Sequence, residues 1–336
     1  MRIYNYIVFF CCFFFASCTS SYSPDFPREE ILSPELMPLQ GVTIPNGLEV
    51  KHPFLIVENY KRTDSIFHIY DLNNYVLKSA FGVKGRGPNE WLSPWLVRTQ
   101  LSDILIERGD DVACRLSIDP DGAPIFVSAE RSNYIEGIAN AAFINDSLYV
   151  LDTYGSFISP GYVHLLTLKD ELPRKSWKYG DPSIIYRHID PDFGEVFANA
   201  SRIVFNYNFK KQIDFMDIEF NLIKRVRFRY TPPVAITEQN QAEVKKSYTS
   251  GYLGKRYFYT LFQGTSWTEY LYDYSFRGSI LEVFDLDGNP VIKYRFDGVA
   301  PDSFVIDEET FTLYGFKYYG GIPEDHLLVY QLKGLS

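Results

Sequence analysis

The segment from Phe81 to Pro94, FGVKGRGPNEWLSP, carries the residue types best suited to local chemistry. Its glycines permit backbone turns with positive φ, and Lys84 and Arg86 between them could hold an anion against turn amides. It lacks the terminal Gly-Lys-Ser/Thr of a phosphate-binding loop, and no helix pattern follows it. The competing reading is a link between structural units, with Glu90 tied to nearby amides and Trp91 buried. The runs Asp285-Leu-Asp287-Gly288-Asn289 and Asp119-Pro-Asp121-Gly122 resemble the start of calcium loops. Neither reaches the distal glutamate such a loop needs, and Asp-Gly between apolar strands is first a hairpin signal. The histidines at 52, 68, 164, 188 and 326 show no metal-ligand spacing, and no G-x-S-x-G elbow occurs. The residues therefore assign no catalytic side chain, metal or cofactor. Aromatic clusters at 267–274 (WTEYLYDY) and 311–319 (FTLYGFKYY) offer Trp267, Tyr270, Tyr318 and Tyr319 as a stacking platform for a glycan or peptide. Strand core is the alternative use of the same near-alternating aromatics.

The elements that must position these residues recur. Apolar strand, turn and second apolar strand appear six times, with turns opening at Asp71, Asp119, Thr167, Asn221, Asp285 and Gln331. The steps are 48, 48, 54, 64 and 46 residues. A period near 40–50 residues with several strands per unit predicts an all-β, six-bladed β-propeller. The expected blades are about 51–80, 92–130, 138–180, 198–232, 255–298 and 302–335. The 26 tyrosines and 27 phenylalanines suit the wedge between twisted sheets. The sixth repeat ends soon after Gln331, so its outermost strand must come from elsewhere. A strand near 39–50, antiparallel to the last repeat, is expected to fill that place and to remove an exposed sheet edge. One helix is expected, capped by Thr237 and running over 238–248.

At the N-terminus Arg2 precedes an apolar run, Ile7–Phe15, followed by Ala16-Ser17-Cys18. The run is too short to span a bilayer and reads as a secretory signal, 1–17. The cysteine after small residues makes it look like a bacterial lipoprotein signal with the lipid on Cys18. Residues 18–27 then read as a lipid-anchored tether, and 28–336 as the propeller. Cys114 would be the one thiol left in the folded body, a small buried hydrophobe rather than half of a disulfide. Without residues 1–17 the balance is 32 basic against 42 acidic residues, which argues against nucleic acid as a partner. The first acid after Cys18 is Asp25, a spacing that favours a periplasm-facing protein of the outer membrane over a surface-exposed one.

The motifs resemble a known group. F-G-x-x-G-x-G before a proline is similar to the link of NHL-repeat propellers. More closely, the chain resembles the TolB-like six-bladed propeller lipoproteins of Bacteroidetes, which combine a lipoprotein signal, an H-x-Y-D-L strand and a G-K-x-G-x-G-P-x-E-F link. The matching residues are His68, Tyr70, Asp71 and Leu72, then Gly82, Lys84, Gly85, Gly87, Pro88, Glu90 and Trp91. Val83 shifts the Gly-Lys pair by one residue, and Trp91 stands where phenylalanine is usual. The resemblance implies fold and lineage without a reaction. The expected function is a lipid-anchored, monomeric envelope module that binds a protein or glycan, with Lys84, Arg86, Trp267, Tyr270, Tyr318 and Tyr319 as ligand residues. The alternative is a lactonase-like hydrolase or lyase with a metal in the central channel.

Overall fold

The computed structural model describes residues 22–335, apart from 60, 62, 88–89, 110–111, 135–140, 154–160, 182, 185–188, 230–235, 273–278 and 319. Cys18 and Tyr319 therefore lie outside the described residues. Six antiparallel units of four strands follow one another. Their innermost strands are Pro45–Lys51, Trp95–Thr99, Ala141–Phe143, Gly194–Ala198, Tyr248–Leu253 and Ser303–Asp307. These touch in cyclic order, the sixth meeting the first, so the blades close a ring. Blades 2 and 3 are also joined directly, because Ala142 and Phe143 pair in parallel with Arg98 and Thr99.

The packing is what a ring of twisted sheets demands. Each of six apolar clusters lies between two neighbouring blades. Alternation along a strand sends successive side chains to opposite neighbours. Val196 thus joins the core shared with blade 3, and Phe197 the core shared with blade 5. Buried tyrosines fill the wedges and satisfy their hydroxyls locally, as where Tyr70 donates to the Gln40 carbonyl at 2.7 Å. Cys114 is a buried thiol outside any disulfide, on the third strand of blade 2, as read from the sequence.

The turns that reveal the repeat sit between third and fourth strands, and their chemistry is local. The Asp285 carboxylate accepts the Asp287 and Asn289 amides at 3.0 and 2.8 Å. Asp119 accepts those of Asp121 and Ala123 at 3.0 and 2.8 Å. The calcium-like sequences are therefore hairpin turns whose acids serve their own backbone. In the fourth repeat this role belongs to Asp217, not Asn221: Asp217 accepts the Glu219 and Asn221 amides, both at 2.9 Å.

The ring is closed by an N-terminal strand, though not the expected one. Glu35–Pro38 pairs antiparallel with His326–Val329 as the fourth strand of blade 6. Pro45–Lys51 is instead the innermost strand of blade 1. Gly41, at φ 87°, turns the chain between the two and divides the stretch 39–50. The expected blade starts at 51 and 255 missed two inner strands for one reason. Asn46-Gly47 and Thr249-Ser250-Gly251 face the channel, so these strands lack the apolar pattern. Ahead of the closing strand, Glu29–Leu32 adds in parallel to the outer strand of blade 5. The preceding stretch does not hang free either. Ser23 donates its amide to the Arg227 carbonyl at 2.7 Å, and Phe26 stacks on Phe228 and meets Phe284 edge-on. The N-terminal segment thus straps blades 4, 5 and 6.

The helix expected at 238–248 is absent. Thr237 starts a hydrogen-bonded turn, its carbonyl accepting the Asn240 and Gln241 amides. Val244 then enters the core, and the Lys246 and Ser247 amides bond to Thr265 and Asn208 carbonyls, which diverts the chain into a strand. A short helix forms at Trp267–Tyr272 instead. It begins with a reciprocal cap, the Glu269 amide donating to Ser266 Oγ at 3.1 Å and the Ser266 amide to Glu269 Oε2 at 2.9 Å.

Candidate binding site at the mouth of the central channel

The inner strands enclose a channel with a cavity of about 540 Å³. Links between blades and loops between second and third strands share one face of the disc, here called the upper face. Lys84, Arg86, Trp267, Tyr270 and Tyr318 all belong to such loops, whereas the Asp-turn hairpins occupy the lower face. The lower channel is crossed by polar ties. Lys51 Nζ donates to Glu49 at 2.7 Å and to the Thr99 carbonyl at 2.9 Å, and Tyr252 of blade 5 meets the Gln100 side chain of blade 2. The upper channel is ringed by Glu58, Trp95, Arg98, Glu195, Lys246 and Tyr318, from blades 1, 2, 4, 5 and 6.

These groups differ in how their charge is balanced. Arg98 pairs with Glu195 and lies over the Phe197 ring at 5.0 Å. Lys246 lies 5.5 Å from the Trp267 ring centre, and burial pushes its ammonium below the usual lysine range. Glu58 is 5% exposed and accepts from Asn46 Nδ2 at 2.7 Å and the Leu96 amide at 3.3 Å. Burial pushes its carboxyl above the ordinary range, with the two hydrogen bonds and the charge of Lys84 acting against it.

The structure brings three of the expected ligand residues together. Trp267 and Tyr270 stack at 5.6 Å with planes 24° apart. Tyr270 donates to Asp302 at 2.5 Å, Lys317 bridges the same two residues, and the Tyr318 amide donates to Asp302 Oδ2 at 2.8 Å. Trp267 is 37% and Tyr318 50% exposed. Tyr318 lines the cavity from blade 6, and burial first, then the Asp302, Glu58 and Glu195 carboxylates, push its hydroxyl up.

Lys84 borders a small side pocket with Glu58 and Trp95, while Arg86 is exposed on the same link. The anion held by that link is its own Glu90. The Gly87 amide donates to Glu90 Oε2 at 2.6 Å, and a Cβ on Gly85 would stand 2.0 Å from the same oxygen. Trp91 packs on Phe67 and Phe81, as the link reading requires.

Sequence reasoning missed Glu58, Trp95, Arg98, Glu195 and Lys246. One signal was available: Glu58 is a charge inside Phe54–Asn59, a strand buried throughout. Among the described residues no three His, Cys, Asp or Glu side chains gather as a metal site.

Residues 199–309 match the family described as TolB-like 6-blade propeller-like. No curated protein matches the chain. Among solved structures it is similar to a member of the DUF4221 family from Bacteroides vulgatus, with TM-score 0.55 and 15% identity over 90% of this chain and 97% of that one. It is also similar to a candidate exported protein of Bacteroides fragilis, with TM-score 0.52 and 11% identity over 90% and 98% of the two chains. At such identities the likeness is one of fold. No helix among the described residues is long and apolar enough to cross a membrane.

Proposed function

We propose that this TolB-like six-bladed propeller is a lipid-anchored envelope module that binds a glycan at the upper mouth of its channel. The observation that carries the reading is the partly exposed Trp267–Tyr270 stack, joined through Asp302 to Tyr318, which lines a polar cavity of about 540 Å³. Flat aromatic faces bury the apolar side of a sugar ring, and neighbouring charged groups take its hydroxyls. The aromatic cluster is also fixed in place by Asp302 and Lys317, so little side-chain entropy is lost on binding.

Tryptophan fluorescence and calorimetric titration with a panel of defined oligosaccharides test this. The full-length protein is expected to bind at least one panel member, and Trp267→Ala to weaken that binding roughly tenfold, about 1.4 kcal/mol. A panel in which nothing binds would overturn the reading.

The anchor rests on Ala16-Ser17-Cys18. Thr19, Ser20 and Ser21 separate Cys18 from Tyr22, whose ring lies 5.5 Å from the Arg229 guanidinium. A lipid on Cys18 would thus hold blade 4 within about 15 Å of the membrane, given roughly 3.5 Å per extended residue. Labelled palmitate should enter the wild-type chain and be absent from Cys18→Ala; label in the variant would refute the anchor.

A further inference from the structure

We propose that the sugar recognised at the mouth carries a free amino group, whose ammonium pairs with the buried carboxylate of Glu58. This inference rests on the glycan reading and narrows it to one chemical class. Most other carboxylates around the channel are matched by a cation of the protein itself. Glu49 has Lys51 at 2.7 Å, Glu195 has Arg98, and Asp302 has Lys317 at 3.1 Å. Asp152 accepts the Tyr179 hydroxyl at 2.8 Å. Glu58 is the most deeply placed acid of the upper rim, and both of its hydrogen-bond donors are neutral. Among the described residues the charge of Lys84 acts on it too, as the smallest of the effects on its carboxyl.

A buried carboxylate without a cation is costly, and it is tolerated where a ligand completes the pair. Glu58 and Gly47 both line the cavity that such a ligand would enter. A Cβ on Gly47 would stand 2.9 Å from Glu58 Oε2, so a glycine is needed there for the carboxylate to hold its place. Trp95 and Tyr318 border the same opening. An ammonium entering there meets one carboxylate beside two aromatic residues, surroundings that favour a desolvated cation.

The test compares glucosamine oligomers with N-acetylated oligomers of equal length, titrated calorimetrically at pH 6, where an amine with a pKa near 8 is protonated. The wild-type chain is expected to prefer the free amine at least tenfold. Glu58→Gln should erase that preference, bringing its affinities for the two oligomers within about twofold of each other. Its melting temperature serves as the check on folding, since the amide still accepts from Asn46. Equal binding of both oligomers by the wild type overturns this inference and leaves the glycan reading standing. A preference that persists in Glu58→Gln also overturns it, since general attraction of a cationic sugar to an acidic chain would survive that change. Binding of neither oligomer, nor of any other sugar, overturns both readings.

Discussion

A chain that starts at Leu39 should be less stable than one that starts at Tyr22 by about 5 kcal/mol, and it should aggregate. The missing segment carries Leu32 and Met37, which are 3% and 1% exposed, and Phe26, packed on Phe228 and Phe284. Burying such side chains is worth roughly 1.5–3 kcal/mol each, part of which is offset by the entropy of ordering the strap. The deletion also leaves the outer edges of blades 5 and 6 without their added strands, Glu29–Leu32 and Glu35–Pro38. Unpaired edges recruit other chains. A domain of this kind has about 5–15 kcal/mol of stability in all, so the truncated ring would be marginal. An intermediate chain starting at Arg28 loses Phe26 but keeps both strands, and should fall between the two. Denaturant unfolding of the three lengths is the measurement. Equal midpoints for the Tyr22 and Leu39 chains would refute closure by the N-terminal strand.

Lys211→Met should cost about 3–5 kcal/mol at pH 8, the usual result of stranding one member of a buried ion pair. Glu282 is 1% exposed and accepts from Lys211 at 2.6 Å and from the Tyr248 hydroxyl at 2.8 Å. Lys211 is itself enclosed by the Phe228 and Phe262 rings, at 4.8 and 4.0 Å. Burial already pushes the Glu282 carboxyl above its ordinary range, against Lys211 and Tyr248, and losing Lys211 pushes it further in the same direction. A carboxyl whose folded pKa is raised contributes stability that is present below its unfolded pKa and lost as pH rises through the folded value. The gap between variant and wild type should therefore be widest at pH 8 and shrink towards pH 5. Adding Glu282→Gln should recover much of the loss. Urea unfolding of the three proteins at both pH values decides the matter. A loss below about 1 kcal/mol, or one independent of pH, would mean that the pair carries little of the blade 4–5 contact.

The sequence could show what depends on neighbours along the chain. Asp71, Asp119 and Asp285 open turns by accepting amides two to four residues on, so their spacing exposes the blade repeat without any tertiary knowledge. The link folded around Glu90 is local in the same way, and so is the Ser266–Glu269 cap, whose two residues stand three apart along the chain. Thr237 shows the limit of such signals. Its turn forms, but Val244 gains more in the core than in a solvent-exposed helix.

By itself, then, the sequence determined the all-β class, six repeats, an N-terminal strand at the closure and an aromatic-rich set of loops. Only the tertiary structure decided which strand closes the ring, because Met37 and Leu48 are equally plausible apolar anchors until the place of Gly41 is known. Only it could assemble the mouth, whose members Glu58, Arg98, Glu195, Lys246 and Tyr318 lie 40 to 97 residues apart from one to the next. Charge balance at such a site is a property of distance in space. Arg98 is matched because the ring brings Glu195 beside it, whereas among the described residues Glu58 has only neutral hydrogen-bond donors, with Lys84 acting on it more weakly through charge. Residue type and spacing along a chain cannot encode that difference, since Coulomb energy depends on separation and burial and not on sequence order.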